Sequence, residues 1–224
     1  MDVFSFSFLS ALAAIVVIDL VLAGDNAIVI AMAARRLPPD VRKKAIVWGT
    51  VGAVIVRSLM TLVVVWLLKI PGLLLIGGLA LLWIAINLLS DEGGEGGSHG
   101  GTIGFWAAMK TIVIADAIMG LDNVLAVAGA AQGSYVLVVL GLVISVPVVV
   151  WGSGLVLKLI ERFPVVIYAG AAVLAATAVK MILAEPLLDE LIDPIEHWSW
   201  VAYLALVGAV LAAGRAMQLR ARKA

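Results

Sequence analysis

Residues 18–38 read IDLVLAGDNAIVIAMAARRLP, and residues 114–134 read IADAIMGLDNVLAVAGAAQGS. Each contains an Asp, five apolar or small residues and then an Asp-Asn pair: Asp19 with Asp25 and Asn26, and Asp116 with Asp122 and Asn123. Both phrases are embedded in apolar sequence. An ionised carboxylate near a bilayer centre costs about 2.5 to 3.5 kcal/mol on insertion scales. Four of them together would approach the net stability of a typical domain, so a duplicated acidic phrase in such surroundings points to a functional site.

The surroundings are those of a membrane protein. Of the 224 residues 64% are hydrophobic and only 13% charged, whereas soluble domains are about half apolar. Seven stretches can cross a bilayer as helices, at approximately 4–34, 43–67, 71–90, 103–131, 135–157, 164–184 and 198–217. The expected fold class is therefore all-α: a polytopic membrane protein forming one transmembrane domain over 1–224. The first and fourth stretches exceed what one crossing needs, which predicts that they tilt, kink or break, with Gly24 and Gly120 beside the aspartates as the expected places.

Aligning the two acidic phrases also sets Pro71 and Gly77 against Pro164 and Gly170. The repeats run over about 4–90 and 103–184, joined by the Gly-rich linker 91–102, with 198–217 as an extra peripheral helix. Each repeat holds three spans, so the second enters the membrane from the opposite side. Inverted repeats of this kind place transport sites near the midplane, where the two halves meet.

Charge distribution predicts orientation. With the N-terminus outside, Arg35, Arg36, Arg42, Lys43, Lys44, Lys110, Lys158, Arg162, Arg215, Arg220, Arg222 and Lys223 collect inside. Lys69 alone falls in an outer connection, which is a strong positive-inside asymmetry. No Lys or Arg precedes Arg35, so the first span lacks the basic start of a cleaved signal and is expected to persist. Trp198 and Trp200 suit an interfacial belt.

The chemistry of the phrases is that of hard oxygen ligands. Asp19, Asp25, Asn26, Asp116, Asp122 and Asn123 are the candidate metal ligands, suited to Mn²⁺, Mg²⁺ or Ca²⁺ rather than to a soft metal. Antiparallel crossing can bring Asp19 to Asp122 or to Asp116, and the sequence leaves both open. Four ionised aspartates around one divalent ion leave two negative charges, so protons, a second ion or a basic side chain must balance them. Arg57, near the middle of the second span, is the candidate counter-charge, and a site exchanging protons for metal would couple to a proton gradient. Asn87, Thr61, Thr177 and Ser145 are expected to be ordinary interhelical contacts, and His99 part of a solvated linker.

Other functions find little support. There is no cysteine, which removes disulfide and thiolate chemistry. The glycines of 93–101 lack a following GK[ST], and neither a nucleophilic triad nor an HExxH phrase is present, so no enzyme activity and no bound cofactor are expected. A formal net charge of zero gives no pull toward nucleic acid.

The two phrases resemble the paired signature of the TerC family of integral membrane proteins, and the short seven-span form resembles its YjbE/YkoY-like branch. The resemblance covers almost the whole chain. It implies Mn²⁺ export across the bacterial cytoplasmic membrane, with Asp19, Asp25, Asn26, Asp116, Asp122 and Asn123 along the metal path. Expected partners are the divalent ion and the lipid bilayer, with a second copy or the secretion machinery as further candidates. Two alternatives stand beside export of a divalent cation. An exporter of amino acids or other small solutes would need a roomy site with a cation for the substrate carboxylate. A non-transporting accessory protein, serving metalation of secreted proteins, would bind metal without moving it.

Overall fold

A computed structural model describes residues 5–22, 24–67, 69–90, 101–131, 133–189 and 199–221. The described chain is helical: α1 (Phe6–Leu22), α2 (Gly24–Ala34), α3 (Pro39–Leu67), α4 (Leu73–Ser90), α5 (Gly101–Ala131), α6 (Tyr135–Arg162), α7 (Val165–Leu183), a short 3-10 turn (Pro186–Leu188) and α8 (Ser199–Ala221). No strand occurs among the described residues. In hydrocarbon each backbone N–H and C=O must be satisfied within the protein, and an apolar helix does this within its own segment. The protein is an all-α integral membrane protein.

Five helices, α3, α5, α6, α7 and α8, are long and apolar enough to cross a membrane singly. The bent pair α1 and α2 adds a sixth if its two helices form one broken span, and the apolar run of α4, Leu73–Leu89, is shorter, so five to six such spans stand against the seven expected. The expected break in the first stretch lies where α1 gives way to α2, with the two helices inclined by 50°. The expected break at Gly120 does not occur, because α5 runs unbroken through it. That glycine faces the Arg57 side chain, and a Cβ there would stand in ordinary contact 3.5 Å from Arg57 Nε.

Local signals explain the connections. Pro39 opens α3, where its missing N–H costs nothing, and Asp40 follows in the first turn. Arg42 reaches back to close the preceding turn, donating from Nε to the Leu37 carbonyl at 3.1 Å and from an η-nitrogen to the Arg35 carbonyl at 2.7 Å.

The chain forms two compact units, Met1–Leu67 with Gly101–Lys158, and Leu68–Gly100 with Leu159–Ala224. Each draws helices from both halves of the sequence. In the first unit α3 packs chiefly on α5, and small residues let the backbones approach: a Cβ on Gly49 would lie 2.9 Å from Ile112 Cδ1. Phe8, Ala11 and Ile15 of α1 pack with Val127 and Ala131 of α5 and with Leu137, Val138 and Leu142 of α6. Gly141 of α6 leaves room for Ile15, with which any Cβ would collide.

In the second unit α4 packs on α7, where a Cβ on Gly78 would come within 2.8 Å of the Ala178 carbonyl oxygen. The extra helix α8 lies against both, and only 11% of its apolar window is buried, in keeping with a peripheral place. Glu185, one residue before the 3-10 turn, is 1% exposed. Its carboxylate accepts from the backbone N–H of Gly72 at 2.8 Å, Leu74 at 3.0 Å and Leu75 at 3.3 Å, capping the start of α4. Leu187 N–H adds a contact at 3.4 Å. These donors, Gly72 foremost, hold the Glu185 carboxyl below its ordinary range. Gly72 can present its N–H there because its φ is +80°, a turn conformation that suits glycine.

Candidate functional site

The first unit carries a cluster of polar side chains in its apolar interior. Asp19 on α1, Arg57 on α3, Asp116 on α5 and Ser145 on α6 are 4%, 4%, 8% and 1% exposed. Arg57 joins the two acids: one terminal nitrogen of its guanidinium donates to Asp19 Oδ1 and the other to Asp116 Oδ1. Ser145 Oγ sits against the second Asp19 oxygen and 2.8 Å from the Leu142 carbonyl, so two acceptors share its hydroxyl proton. A carboxylate pair bridged by a guanidinium is the arrangement that lets like charges coexist in a low-dielectric interior. Of the two pairings left open by the sequence, Asp19 with Asp116 is present, bridged by Arg57, and the Asp122 side chain lies outside the described residues.

These residues surround a cavity of about 20 Å³, lined also by Asn26, Thr50, Ala53 and Val54 and by Val146 and Val149 of α6. That is room for one water-sized species, since a water needs at least about 10 to 15 Å³. Several polar atoms here have no protein partner: Asn26 Oδ1, Asp116 Oδ2 and Arg57 Nε. An unpaired buried polar atom costs about 1 to 3 kcal/mol, so the lining is short of a ligand, not over-supplied. Two of the three are oxygens. Pro147, inside α6, has no N–H to offer the Val143 carbonyl, which leaves the helix less tightly bonded two residues beyond Ser145.

Of the six expected ligands, Asp19, Asn26 and Asp116 line this cavity. Asp25 sits half-buried in the first turn of α2, where it accepts from the Asn26 backbone N–H at 2.9 Å, and it does not line the cavity. Asn123 is half-buried on α5 and is likewise not part of the lining. The Asp122 side chain lies outside the described residues, as do His99 and Trp198. Among the described residues no three Asp, Glu or His side chains converge to hold a metal ion. The visible donor set is therefore two carboxylates, an amide oxygen and the hydroxyls of Ser145 and Thr50.

Relatives give this cluster a family setting. The sequence matches the Integral membrane protein TerC family over residues 4–223. The chain belongs to the TerC family. It is 47% identical over 178 residues to the membrane protein YjbE of Bacillus subtilis (strain 168), covering 80% of this chain and 81% of YjbE. YkoY of the same organism is 23% identical over 87% of this chain and 69% of its own length. The UPF0053 protein YegH of Escherichia coli (strain K12) is 28% identical over 68% of this chain but only 32% of YegH. No solved structure matches the chain.

The place of two residues in this polar cluster is not legible in the sequence. Ser145 was expected to make an interhelical contact and does, but its partner is the Asp19 carboxylate at the cavity. The one signal is that it is the sole polar residue between Val136 and Val150. Thr50 lines the cavity while its hydroxyl donates to the Ile46 carbonyl at 2.8 Å, a local bond that makes it resemble any helical threonine.

Proposed function

We propose that this TerC family protein is a secondary transporter that exports a hard divalent cation, Mn²⁺ foremost, with Asp19, Asn26 and Asp116 as the ion's seat. The supporting observation is the cavity itself: about 20 Å³, lined by two buried carboxylates and two unpaired oxygens. Sites for organic small molecules run to about 300 Å³ or more, so the small space weighs against an amino-acid exporter. Oxygen donors without thiolate or imidazole favour Mn²⁺, Mg²⁺ or Ca²⁺ over softer metals. Asp25 and Asp122 are proposed to serve the path on either side of the seat. The chain would act in the bacterial cytoplasmic membrane with its N-terminus outside, without enzyme activity or a resident cofactor, and with lipid as its standing partner. Self-association or docking to secretion machinery would supplement this role.

The test is metal-resolved flux in proteoliposomes containing only the purified protein. Saturable Mn²⁺ movement against protein-free vesicles is expected. Stoichiometric Mn²⁺ binding with no flux would instead make it an accessory protein, and amino-acid flux without metal flux would replace the substrate.

A further inference from the structure

We infer that Arg57 is a tethered stand-in for the transported cation: its guanidinium occupies the Asp19–Asp116 pair when the site is empty and yields those oxygens to an entering divalent ion. This deepens the proposed function and rests on it, because the pair must be the ion's seat.

The geometry has the form of a substitution. The two terminal guanidinium nitrogens divide between the two carboxylates, one each, instead of forming a fork on either. A cation seated between the acids would make the same bridge. A purely structural ion pair at this depth is expected to satisfy every donor and acceptor, because a partly satisfied buried network is costly. Here Arg57 Nε and Asp116 Oδ2 are both left over, and Asn26 Oδ1 with them. The guanidinium therefore neutralises the acids without completing the site.

The arginine also has a way to move. Its stem passes Gly120 of α5, where, among the described residues, a would-be Cβ is approached only by Arg57 itself, at 3.5 Å from Nε and 3.9 Å from Cγ. No side chain at position 120 pins it. Next to the guanidinium is the cavity of about 20 Å³, where a small cation can arrive before the arginine has left.

Charge accounts for the use. Two ionised aspartates without Arg57 carry −2 in an apolar interior, and with Arg57 they carry −1. An empty carrier must pass between its two facings to work in net mode, and a lone acid pair would resist that passage. Arg57 accompanies the empty site across, and it competes with metal at each facing. The competition lowers apparent affinity by the fraction of sites the guanidinium holds.

Removing a competitor and removing a structural brace have opposite signatures. In proteoliposomes containing Arg57→Gln, radioactive Mn²⁺ uptake into Mn²⁺-loaded vesicles should persist within about threefold of wild type, while uptake into metal-free vesicles falls about tenfold or more. Mn²⁺ binding to the purified variant should tighten about tenfold, because the internal competitor is gone. Arg57→Lys covers the case in which the Gln variant fails to fold. A single ammonium cannot bridge both acids as a fork does, so net uptake should fall more than exchange. Net uptake unchanged in Arg57→Gln, or exchange, net uptake and Mn²⁺ affinity lost together in either variant, would overturn the inference. Wild-type protein that moves Mn²⁺ in neither mode would instead remove the transport function on which the inference stands.

Discussion

Asp116→Asn and Asp19→Asn should each abolish Mn²⁺ flux while the protein still inserts and purifies. Asn keeps the shape of the side chain and one acceptor oxygen, so Arg57 retains a hydrogen-bond partner on each side. What disappears is one negative charge facing a divalent ion. At any interior dielectric that charge is worth several kcal/mol, and about 3 kcal/mol already corresponds to more than a hundredfold in binding. Flux measured in proteoliposomes should therefore drop by about two orders of magnitude or more. The folded variant keeps α1, α3 and α5 linked through Arg57, so its melting temperature in detergent should change far less than its transport. Full flux in either variant would take that aspartate out of the ion's path.

Ala53→Leu should give a second large loss by a different route, with every charge left in place. Ala53 is 3% exposed and lines the cavity between Asp19, Asn26 and Arg57. Three added carbons on a residue of the lining put hydrocarbon where a dehydrated ion would bind. Overpacking of a well-filled interior costs about 1 to 3 kcal/mol, which a helical membrane protein can absorb. Mn²⁺ flux should fall at least about tenfold, and Mn²⁺ should lose its thermal stabilisation of the protein. Retained flux with the cavity filled would mean that the ion passes elsewhere. The aspartate variants test the charge of the seat, and this one tests its volume.

How far the site can be read from the chain depends on what makes each residue conspicuous. Asp19 and Asp116 stand out because a carboxylate inside an apolar run is costly whatever its partner. Arg57 stands out for the same reason: its sign suggested a counter-charge, and its guanidinium touches both acids. Ser145 did not stand out, because a hydroxyl can return its proton to its own helix, as this one does toward the Leu142 carbonyl, so its type says little about its neighbours.

Glu185 shows the limit more sharply. It belongs to an acidic connection that looks like a solvated surface loop, yet its carboxylate is buried on the start of α4, 113 residues away from Gly72 in sequence. No local pattern encodes a partner at that distance. Glycine beside an acid also has two uses that sequence does not separate. Gly24 opens α2 beside the break between α1 and α2, whereas Gly120 stays within α5 and faces the Arg57 stem. The helices themselves were legible, because apolar runs of crossing length have one way to satisfy their backbones. The shorter apolar run of α4 departs from that pattern, and its start is held by the Glu185 cap.

The central claim is that the buried acid pair of the first unit is where the transported ion sits. The most direct measurement is the position of bound Mn²⁺ by anomalous diffraction at the manganese edge from crystals of the wild-type protein grown with Mn²⁺. The account predicts an anomalous peak between the Asp19 and Asp116 carboxylates, within coordination distance of both and of Asn26 Oδ1, with the Arg57 guanidinium moved off them. Manganese found only at exposed carboxylates, with Arg57 still bridging the two aspartates at saturating metal, would contradict it.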